Sequence, residues 1–181
     1  MSSCLDAEAG YETMKVGPMK TFSLHSEVWL PQPLEEVFAF FSDARNLERL
    51  TPPWLRFEVL TPGAGLVRPG MLIDYRLRLH GFPIRWRSEI TAWEPPHRFV
   101  DEQRRGPYRR WVHEHSFEAS KGGTLAVDNV EYAVLGGSLA NRLFVAPDLR
   151  RVFAFRRKTL LEIFGDGKGM VPPPPDARQA S

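Results

Sequence analysis

The clearest structural pattern in this chain is the stretch FVDEQRRGPYRRWVHEHSFEASKGGTLAVDNVEYAV, residues 99–134. Apolar and polar side chains alternate along most of it, which is the spacing of a β-strand with one buried face. The dipeptides Gly106-Pro107 and Gly122-Gly123 interrupt the alternation, and such dipeptides mark turns. The stretch therefore predicts three consecutive antiparallel strands, at about 97–105, 108–119 and 123–134.

The segments on either side extend this pattern into a complete domain. Strand periodicity also covers about 21–30, 55–61, 71–80 and 83–93, while helical spacing covers 34–41, 43–50 and, after Pro147, about 147–164. A single long helix can cover one face of a curved antiparallel sheet. The order predicts an α+β helix-grip fold, in which a curved antiparallel sheet of about seven strands wraps around a long C-terminal helix, with two short helices after the first strand.

Composition bounds the class of protein. The chain has 181 residues, of which 43% are hydrophobic and 25% charged, as expected for one globular domain. We expect a flexible arm at 1–19, the domain at 20–164 and a disordered Gly/Pro-rich tail at 165–181. One cysteine excludes a disulfide framework, and the chain shows neither a secretory start nor an apolar membrane span, so a cytoplasmic location is expected. A net charge of +2 is too small to indicate a nucleic-acid partner.

Strand parity places an unusual set of polar side chains inside the domain. Side chains alternate across a strand, and the more aromatic, less charged face of each strand is taken as the inward face. On the three strands of the opening stretch, the inward side chains include Phe99, Asp101, Gln103, Trp111, His113, His115, Phe117, Asp128 and Tyr132. A three-residue loop at 106–108 pairs Asp101 with His113, and a turn at Gly122-Gly123 pairs His113 with Tyr132. The prediction is one row, Asp101–His113–Tyr132, across three strands.

This row has two interpretations. As an acid–base unit, Asp101 would orient His113, His113 would exchange protons with a ligand, and Tyr132 would donate a hydrogen bond. As a structural feature, the row would be a satisfied polar network that sets strand register. His113 and His115 with Asp128 could also hold a metal, but no third histidine shares their face, and we expect no metal. No glycine-rich phosphate loop follows a strand, so we expect no nucleotide cofactor.

The residues also resemble a known family. The segments LTPPWL (50–55), WVHEH (111–115), GGT (122–124) and DNVEY (128–132), within the fold order above, are similar to the START-like, polyketide cyclase/dehydrase (SRPBCC) superfamily. Asp101 to Phe117 resembles a bacterial branch with the string D-x-Q-x-x-G-P-x-x-x-W-x-H-x-H-x-F. The resemblance, over about 20–164, implies a hydrophobic ligand between sheet and long helix. Some members catalyse cyclisation, dehydration or hydrolysis there. In relatives of the branch a similar domain is fused to an epimerase-like domain.

Three hypotheses about function follow. In the first, the protein binds a small hydrophobic or amphipathic molecule (a lipid, quinone or polyketide-like compound). Its apolar part would contact Ile73, Tyr75, Leu77, Trp86, Phe99, Trp111 and Phe117, and its oxygen-bearing end would meet Asp101, Gln103, His113, His115, Asp128 and Tyr132. In the second, a cyclase- or dehydratase-like enzyme uses His113, backed by Asp101, to remove a proton next to a carbonyl. In the third, the domain is an accessory module for a separate epimerase-like protein.

Overall fold

A computed structural model describes residues 19–165, and the predicted helix-grip fold is confirmed. Seven antiparallel strands form one curved sheet in the order β1-β7-β6-β5-β4-β3-β2. The strands are β1 (Phe22–Leu30), β2 (Glu58–Val59), β3 (Leu72–Leu79), β4 (Phe82–Glu94), β5 (Arg98–Arg105), β6 (Arg110–Ser120) and β7 (Gly123–Ala133). The predicted arm and tail lie outside the described residues, apart from Met19 and Gly165.

The helices follow the predicted order. Helix α1 (Leu34–Phe41) comes directly after β1, and α2 (Leu47–Leu50) follows a 3₁₀ turn at Ala44–Asn46. A short α3 (Gly137–Ala140) and a π-helical turn at Asn141–Val145 lead into the long α4 (Ala146–Phe164). Pro147, which has no N–H to donate, is the second residue of α4, and the π-helical turn ends directly before this helix. No helix in residues 19–165 combines the length and hydropathy of a membrane-spanning segment.

The second strand is shorter than predicted. The sequence indicated a strand at about 55–61, but only Glu58 and Val59 pair with β3. A 3₁₀ turn at Pro53–Leu55 occupies the start of that segment, and Arg56 adopts a left-handed conformation with φ of 45°. Pro52 and Pro53 disfavour a strand at the start of this segment, because a proline has no N–H to donate to a β-ladder.

The register of β5 and β6 is the predicted one, whereas that of β6 and β7 is shifted by two residues. Asp101 pairs with His113 and Phe99 with His115. His113, however, pairs with Val130, and Tyr132 faces Trp111. The predicted Asp101–His113–Tyr132 row is therefore wrong.

The cause of the shift is the position of the β6–β7 turn. Lys121 and Gly122 form the two-residue loop, with φ of 51° and 80°, as a type I′ turn requires. Gly123, predicted as a turn residue, lies in β7, where an added Cβ would clash with the Leu30 carbonyl oxygen. Moving the turn by one residue changes the pairing by two and leaves every side chain on its predicted face.

Two apolar clusters hold the sheet and helices together. The larger one packs α1 and the end of α4 against the sheet, through Val37, Phe38, Phe117 and Leu160 among others. The smaller one packs Leu149 and Phe153 of α4 against Val130 and Tyr132 of β7. Between these clusters, α4 stands away from the central strands and leaves space on the concave face of the sheet.

Candidate functional site

A cavity of about 410 Å³ lies between the concave face of the sheet and α4. Strands β3 to β6, the segment before β2 and one side of α4 form its walls. Most of its lining is apolar, including Leu50, Leu55, Ile73, Leu77, Ile90, Leu149 and Val152. Its volume falls in the range of about 300–1,000 Å³ that small-molecule sites occupy.

Aromatic rings form one wall of the cavity. Tyr75 on β3 stacks against Trp86 on β4, with ring centres 5.7 Å apart and planes 20° apart. The edge of Trp111 meets Trp86 at 5.3 Å, and Tyr108 lies 5.5 Å from Trp86. These residues face one another because Tyr75 and Trp86 are direct cross-strand partners. The wall presents flat, rigid and mostly apolar surfaces to the cavity.

Five ionisable side chains meet at the base of the cavity, and we call them the polar cluster: Asp101, His113, His115, Asp128 and Arg156. His113 and His115 share the inward face of β6 because they are two residues apart. Asp101 is the β5 partner of His113, and Asp128 is the β7 partner of His115. Arg156 reaches the cluster from α4. All except Asp101 are buried.

The two imidazoles lie between the two carboxylates. His113 Nε2 donates to Asp128 Oδ1 at 3.0 Å, and His113 Nδ1 lies 3.6 Å from Asp101 Oδ2. His115 Nε2 donates to Asp101 Oδ2 at 3.2 Å, and His115 Nδ1 lies 2.8 Å from Asp128 Oδ1. The ring centres of the two histidines are 3.9 Å apart. Each carboxylate is thus in reach of both histidines.

Further contacts hold each carboxylate in place. Arg156 Nε lies 3.1 Å from Asp128 Oδ2, so the guanidinium compensates this buried charge. On the cavity side, Ser88 Oγ donates to Asp101 Oδ1 at 3.1 Å. Ser88 Oγ in turn accepts from Trp86 Nε1 at 3.1 Å and lies 3.0 Å from Tyr75 Oη. The cluster is therefore connected to the aromatic wall through Ser88.

The surroundings set the charge state of the cluster. Burial would raise the pKa of Asp128, but the charge of Arg156 and the hydrogen bonds from the histidines hold that pKa well below its usual value. Burial is also outweighed at Asp101, whose pKa is lowered by His115 and His113. Burial lowers the pKa of His113, whereas at His115 burial is outweighed by the adjacent carboxylates of Asp101 and Asp128, which raise the pKa. Arg156 and the two imidazoles face the two carboxylates, and this pairing limits the cost of burying their charges.

Two buried nitrogen atoms of the cluster are poorly partnered. Among the described residues, His115 Nδ1 and Arg156 Nε make no well-aligned hydrogen bond, although both lie close to Asp128. Buried polar groups in native proteins are nearly always paired, so such exceptions call for an explanation. These two nitrogens therefore keep hydrogen-bonding capacity that no described residue uses.

Most of the residues predicted for the site line the cavity. They are Ile73, Tyr75, Leu77, Trp86, Phe99, Asp101, Trp111, His113 and His115. Four others do not. Asp128 lies behind the histidines, and Phe117 packs in the core against Phe41 at 5.0 Å. The Gln103 amide holds the β5–β6 loop, donating to the Tyr108 carbonyl oxygen at 2.7 Å.

Tyr132 is the fourth, and its predicted role is not supported by its position. The hydroxyl of Tyr132 donates to Asn141 Oδ1 at 3.0 Å, in the π-helical turn before α4. The shifted β6–β7 register places this side chain beside Trp111 and Phe22 rather than beside the histidines.

Sequence reasoning missed two members of the site, Arg156 and Ser88. An arginine is ordinarily exposed, but Arg156 is buried on the face of α4 that carries Leu149, Phe153 and Leu160. The spacing of four, three and four residues within that set is the stripe of a packed helix face and could have identified it. Ser88 shares the buried face of β4 with Trp86 and Ile90, but its residue type carries no signal for a contact with Asp101.

Polar and aromatic side chains also surround the opening of the cavity. His80, at the β3–β4 turn, is 2.6 Å from Asp148 in the first turn of α4. The exposed Trp54 packs edge-on against Phe155, with the Arg151 guanidinium 5.6 Å from its ring. These contacts join three segments around the opening, and no periodicity in the sequence predicted that they would meet.

Comparison with known proteins supports the fold and the family. The profile described as "Polyketide cyclase / dehydrase and lipid transport" matches residues 30–156. Among solved structures, the ZhuI aromatase/cyclase from Streptomyces sp. R1128 is 14% identical and has a TM-score of 0.63, over 81% of this chain and 94% of that chain. A norcoclaurine synthase from Thalictrum flavum is 16% identical with a TM-score of 0.58, over 80% and 97%. Protein Ms6760 from Mycobacterium smegmatis is 19% identical with a TM-score of 0.59, over 79% and 90%. A search of curated proteins finds no match.

Proposed function

Since this chain belongs to the polyketide cyclase/dehydrase and lipid transport family, we propose that it binds one small hydrophobic or amphipathic molecule between its sheet and α4. A lipid, a quinone or a polyketide-like compound has the required character. The observation that carries the proposal is the cavity of about 410 Å³, which combines an aromatic wall with a single polar cluster at its base. An apolar site with a few placed polar groups is the usual form of a ligand pocket.

The apolar part of the ligand would lie against the aromatic wall and its aliphatic neighbours. Tyr75, Trp86 and Trp111 offer ring faces and edges, and Ile73 and Leu77 offer aliphatic surface. Burying apolar surface contributes roughly 25 cal/mol per Å² before the costs of association. Flat or conjugated molecules suit this wall best, because aromatic pairs prefer offset or edge-on contacts.

The oxygen-bearing end of the ligand would meet Asp101, His113 and His115. These three members of the polar cluster line the cavity, whereas Gln103, Asp128 and Tyr132 make their contacts elsewhere. Ser88 and Arg156 also line it and add a hydroxyl and a guanidinium to the polar surface. A carbonyl or hydroxyl group placed here would have both donors and acceptors within reach.

A second candidate is a cyclase- or dehydratase-like enzyme, favoured by the imidazole–carboxylate pairs at the cavity base. His113 would remove a proton next to a carbonyl of the bound molecule. The hydrogen bond from His113 Nε2 goes to Asp128, so Asp128 rather than Asp101 would orient this base. For an enzyme of this kind, His113→Gln should abolish turnover while ligand affinity and fold are largely kept.

The cell compartment and the partner stay predictions of the sequence. We expect the protein to act in the cytoplasm, where a single cysteine would remain reduced. A module serving a separate epimerase-like protein would be found with that protein and would need no small molecule in its cavity.

The decisive experiment is extraction of the natively purified protein with organic solvent, followed by mass spectrometry of the released compounds. A stoichiometric lipid, quinone or polyketide-like compound would support the proposal and name the class for activity tests. An empty protein that co-purifies with an epimerase-like enzyme would contradict it and favour the accessory module.

Two tryptophan substitutions on β3 test whether the extracted compound binds in the cavity. Leu77→Trp adds a large ring at a buried, cavity-lining position of β3, and Leu72→Trp adds the same ring on the exposed face of the same strand. The first change should reduce the bound compound at least tenfold, and the second should leave it unchanged. Equal occupancy of the two purified variants would show that the compound binds elsewhere.

A further inference from the structure

We propose that Asp101, His113 and His115 bind one divalent transition-metal ion at the base of the cavity. The sequence paired the two histidines with Asp128 as a weak metal set, but the structure offers Asp101 as the third ligand. One ligand atom from each of these three residues lies within 4.8 Å of the others. Two imidazole nitrogens and one carboxylate oxygen form a donor set that suits zinc or iron(II).

The distances between the ligand atoms fit a metal centre. Atoms bound at about 2.0–2.1 Å to a tetrahedral zinc ion lie about 3.3 Å from one another. Asp101 Oδ2 is 3.2 Å from His115 Nε2 and 3.6 Å from His113 Nδ1. Two of the three separations are therefore close to that of a tetrahedral centre, and the three ligand atoms all lie within 4.8 Å of one another.

The contacts behind the three ligands are those that metal sites use to orient them. A metal-binding histidine usually donates its other ring nitrogen to a carboxylate or carbonyl oxygen. Here His113 Nε2 and His115 Nδ1 both face Asp128 Oδ1, at 3.0 and 2.8 Å. Arg156 holds Asp128 on its other oxygen, at 3.1 Å.

The third ligand is oriented in the same way. Ser88 Oγ donates to Asp101 Oδ1, which leaves Asp101 Oδ2 directed at the two histidines. The arrangement places one carboxylate in front of both rings and one behind both rings, which is the division between a ligand and its support.

The site opens on the cavity. Asp101, His113 and His115 all line it, so an ion there would have three protein ligands and free positions directed at the bound molecule. The role of these free positions rests on the proposed function, because one of them would take the oxygen-bearing end of the bound ligand. An imidazole that binds a metal through Nδ1 and donates through Nε2 cannot also accept a proton. The metal site and the acid–base role of His113 are therefore mutually exclusive.

The test is a metal titration of the full-length, untagged chain after treatment with a chelator. We expect one equivalent of Zn²⁺ to bind per chain, and one equivalent of Co²⁺ to give the visible absorption of a low-coordinate site. Asp101→Asn and His115→Gln should each lose this equivalent. Asp128→Asn changes only the carboxylate that orients the two histidines and should weaken metal binding about 10–100-fold. Circular dichroism of each metal-free variant checks that it has folded. If His115→Gln does not fold, Asp101→Asn carries the test, because the Asp101 side chain is more exposed than that of His115.

A matched control separates this site from ordinary surface binding. His25 lies on β1 beside Glu27, with its Nε2 3.6 Å from that carboxylate, and it is exposed. His25→Gln should leave the bound equivalent intact. Absence of a bound equivalent in the wild type, or binding that survives both Asp101→Asn and His113→Gln, would overturn the proposal. The titration needs no organic ligand and the solvent extraction needs no metal, so the metal site and the ligand function can fail separately.

Discussion

Arg156 shows how one side chain determines whether a buried polar group is stabilised. Its guanidinium is the charge that compensates Asp128 from the helix side, 3.1 Å away. It also lies over the ring of Phe41, with its central carbon 5.1 Å from the ring centre, so the same side chain packs in the apolar core. A buried carboxylate that loses such a partner is left with a charge that water cannot solvate.

We therefore expect Arg156→Met to destabilise the fold by about 3–5 kcal/mol. The methionine keeps much of the volume but leaves Asp128 with only the histidines. Urea unfolding in the presence of a chelator measures the change without a contribution from bound metal. Arg157→Met, at the next and exposed position of α4, is the control and should change the free energy of unfolding by less than about 0.5 kcal/mol. Equal effects at the two positions would show that Asp128 does not depend on Arg156.

At the scale of elements, the β6–β7 hairpin determines which residues meet in the polar cluster. Two adjacent glycines in this turn have different functions. Gly122 supplies a left-handed backbone, with φ of 80°, and an added Cβ would meet nothing within 4 Å. Gly123 lies where the end of β1 comes close, and its added Cβ would clash with the Leu30 carbonyl oxygen and the Trp29 ring. The first glycine is needed for conformation and the second for space.

The two alanine variants should differ for this reason. Gly122→Ala should cost about 1 kcal/mol, the penalty for an L-residue in the left-handed region. Gly123→Ala should cost more, about 1–3 kcal/mol, because the nearest atom belongs to backbone and the strands must move apart. Urea unfolding of the wild type and both variants, measured in parallel, gives the two losses in free energy of unfolding. A smaller effect at Gly123 would contradict the close approach of β1 and β7.

At the scale of the whole molecule, the cavity separates the sheet from the middle of α4. The two apolar clusters close its sides, and the aromatic wall remains uncovered between them. Apolar surface that folding leaves uncovered can still be covered by a ligand. The stability of the domain should therefore depend on what occupies the cavity.

We expect the extracted compound, added back, to raise the melting temperature in a concentration-dependent way. Binding to the folded state alone stabilises it by about 2.7 kcal/mol at a hundredfold excess over Kd. Differential scanning fluorimetry across a ligand series measures the shift. The Leu72→Trp protein should show the same shift as the wild type, and the Leu77→Trp protein should show almost none. Identical shifts in both variants would place the stabilising contact outside the cavity.

Local sequence patterns were enough to predict the order of the elements and the inward faces of the strands in 99–134, although the second strand is shorter than predicted. These properties follow from local causes: period-two alternation in 99–134, helical spacing after Pro147, and turn residues between strands. Local alternation also placed Asp101, His113, His115 and Asp128 on inward faces. The pairing of Asp101 with His113 followed from the short loop after Arg105, which spans 106–109 rather than the predicted 106–108 and keeps the same register.

The partners of these side chains depend on contacts between elements that are distant in the sequence. Gly122-Gly123 and Lys121-Gly122 are both acceptable turns locally, and the approach of β1 to Gly123 selects the second, which moves Tyr132 away and brings Asp128 to His115. Arg156 joins the cluster because the rotation of α4 about its axis is set by packing against the sheet, over a sequence separation of 28 residues from Asp128. Periodicity describes one element at a time, whereas a cavity and a ligand set arise only where several elements are packed together.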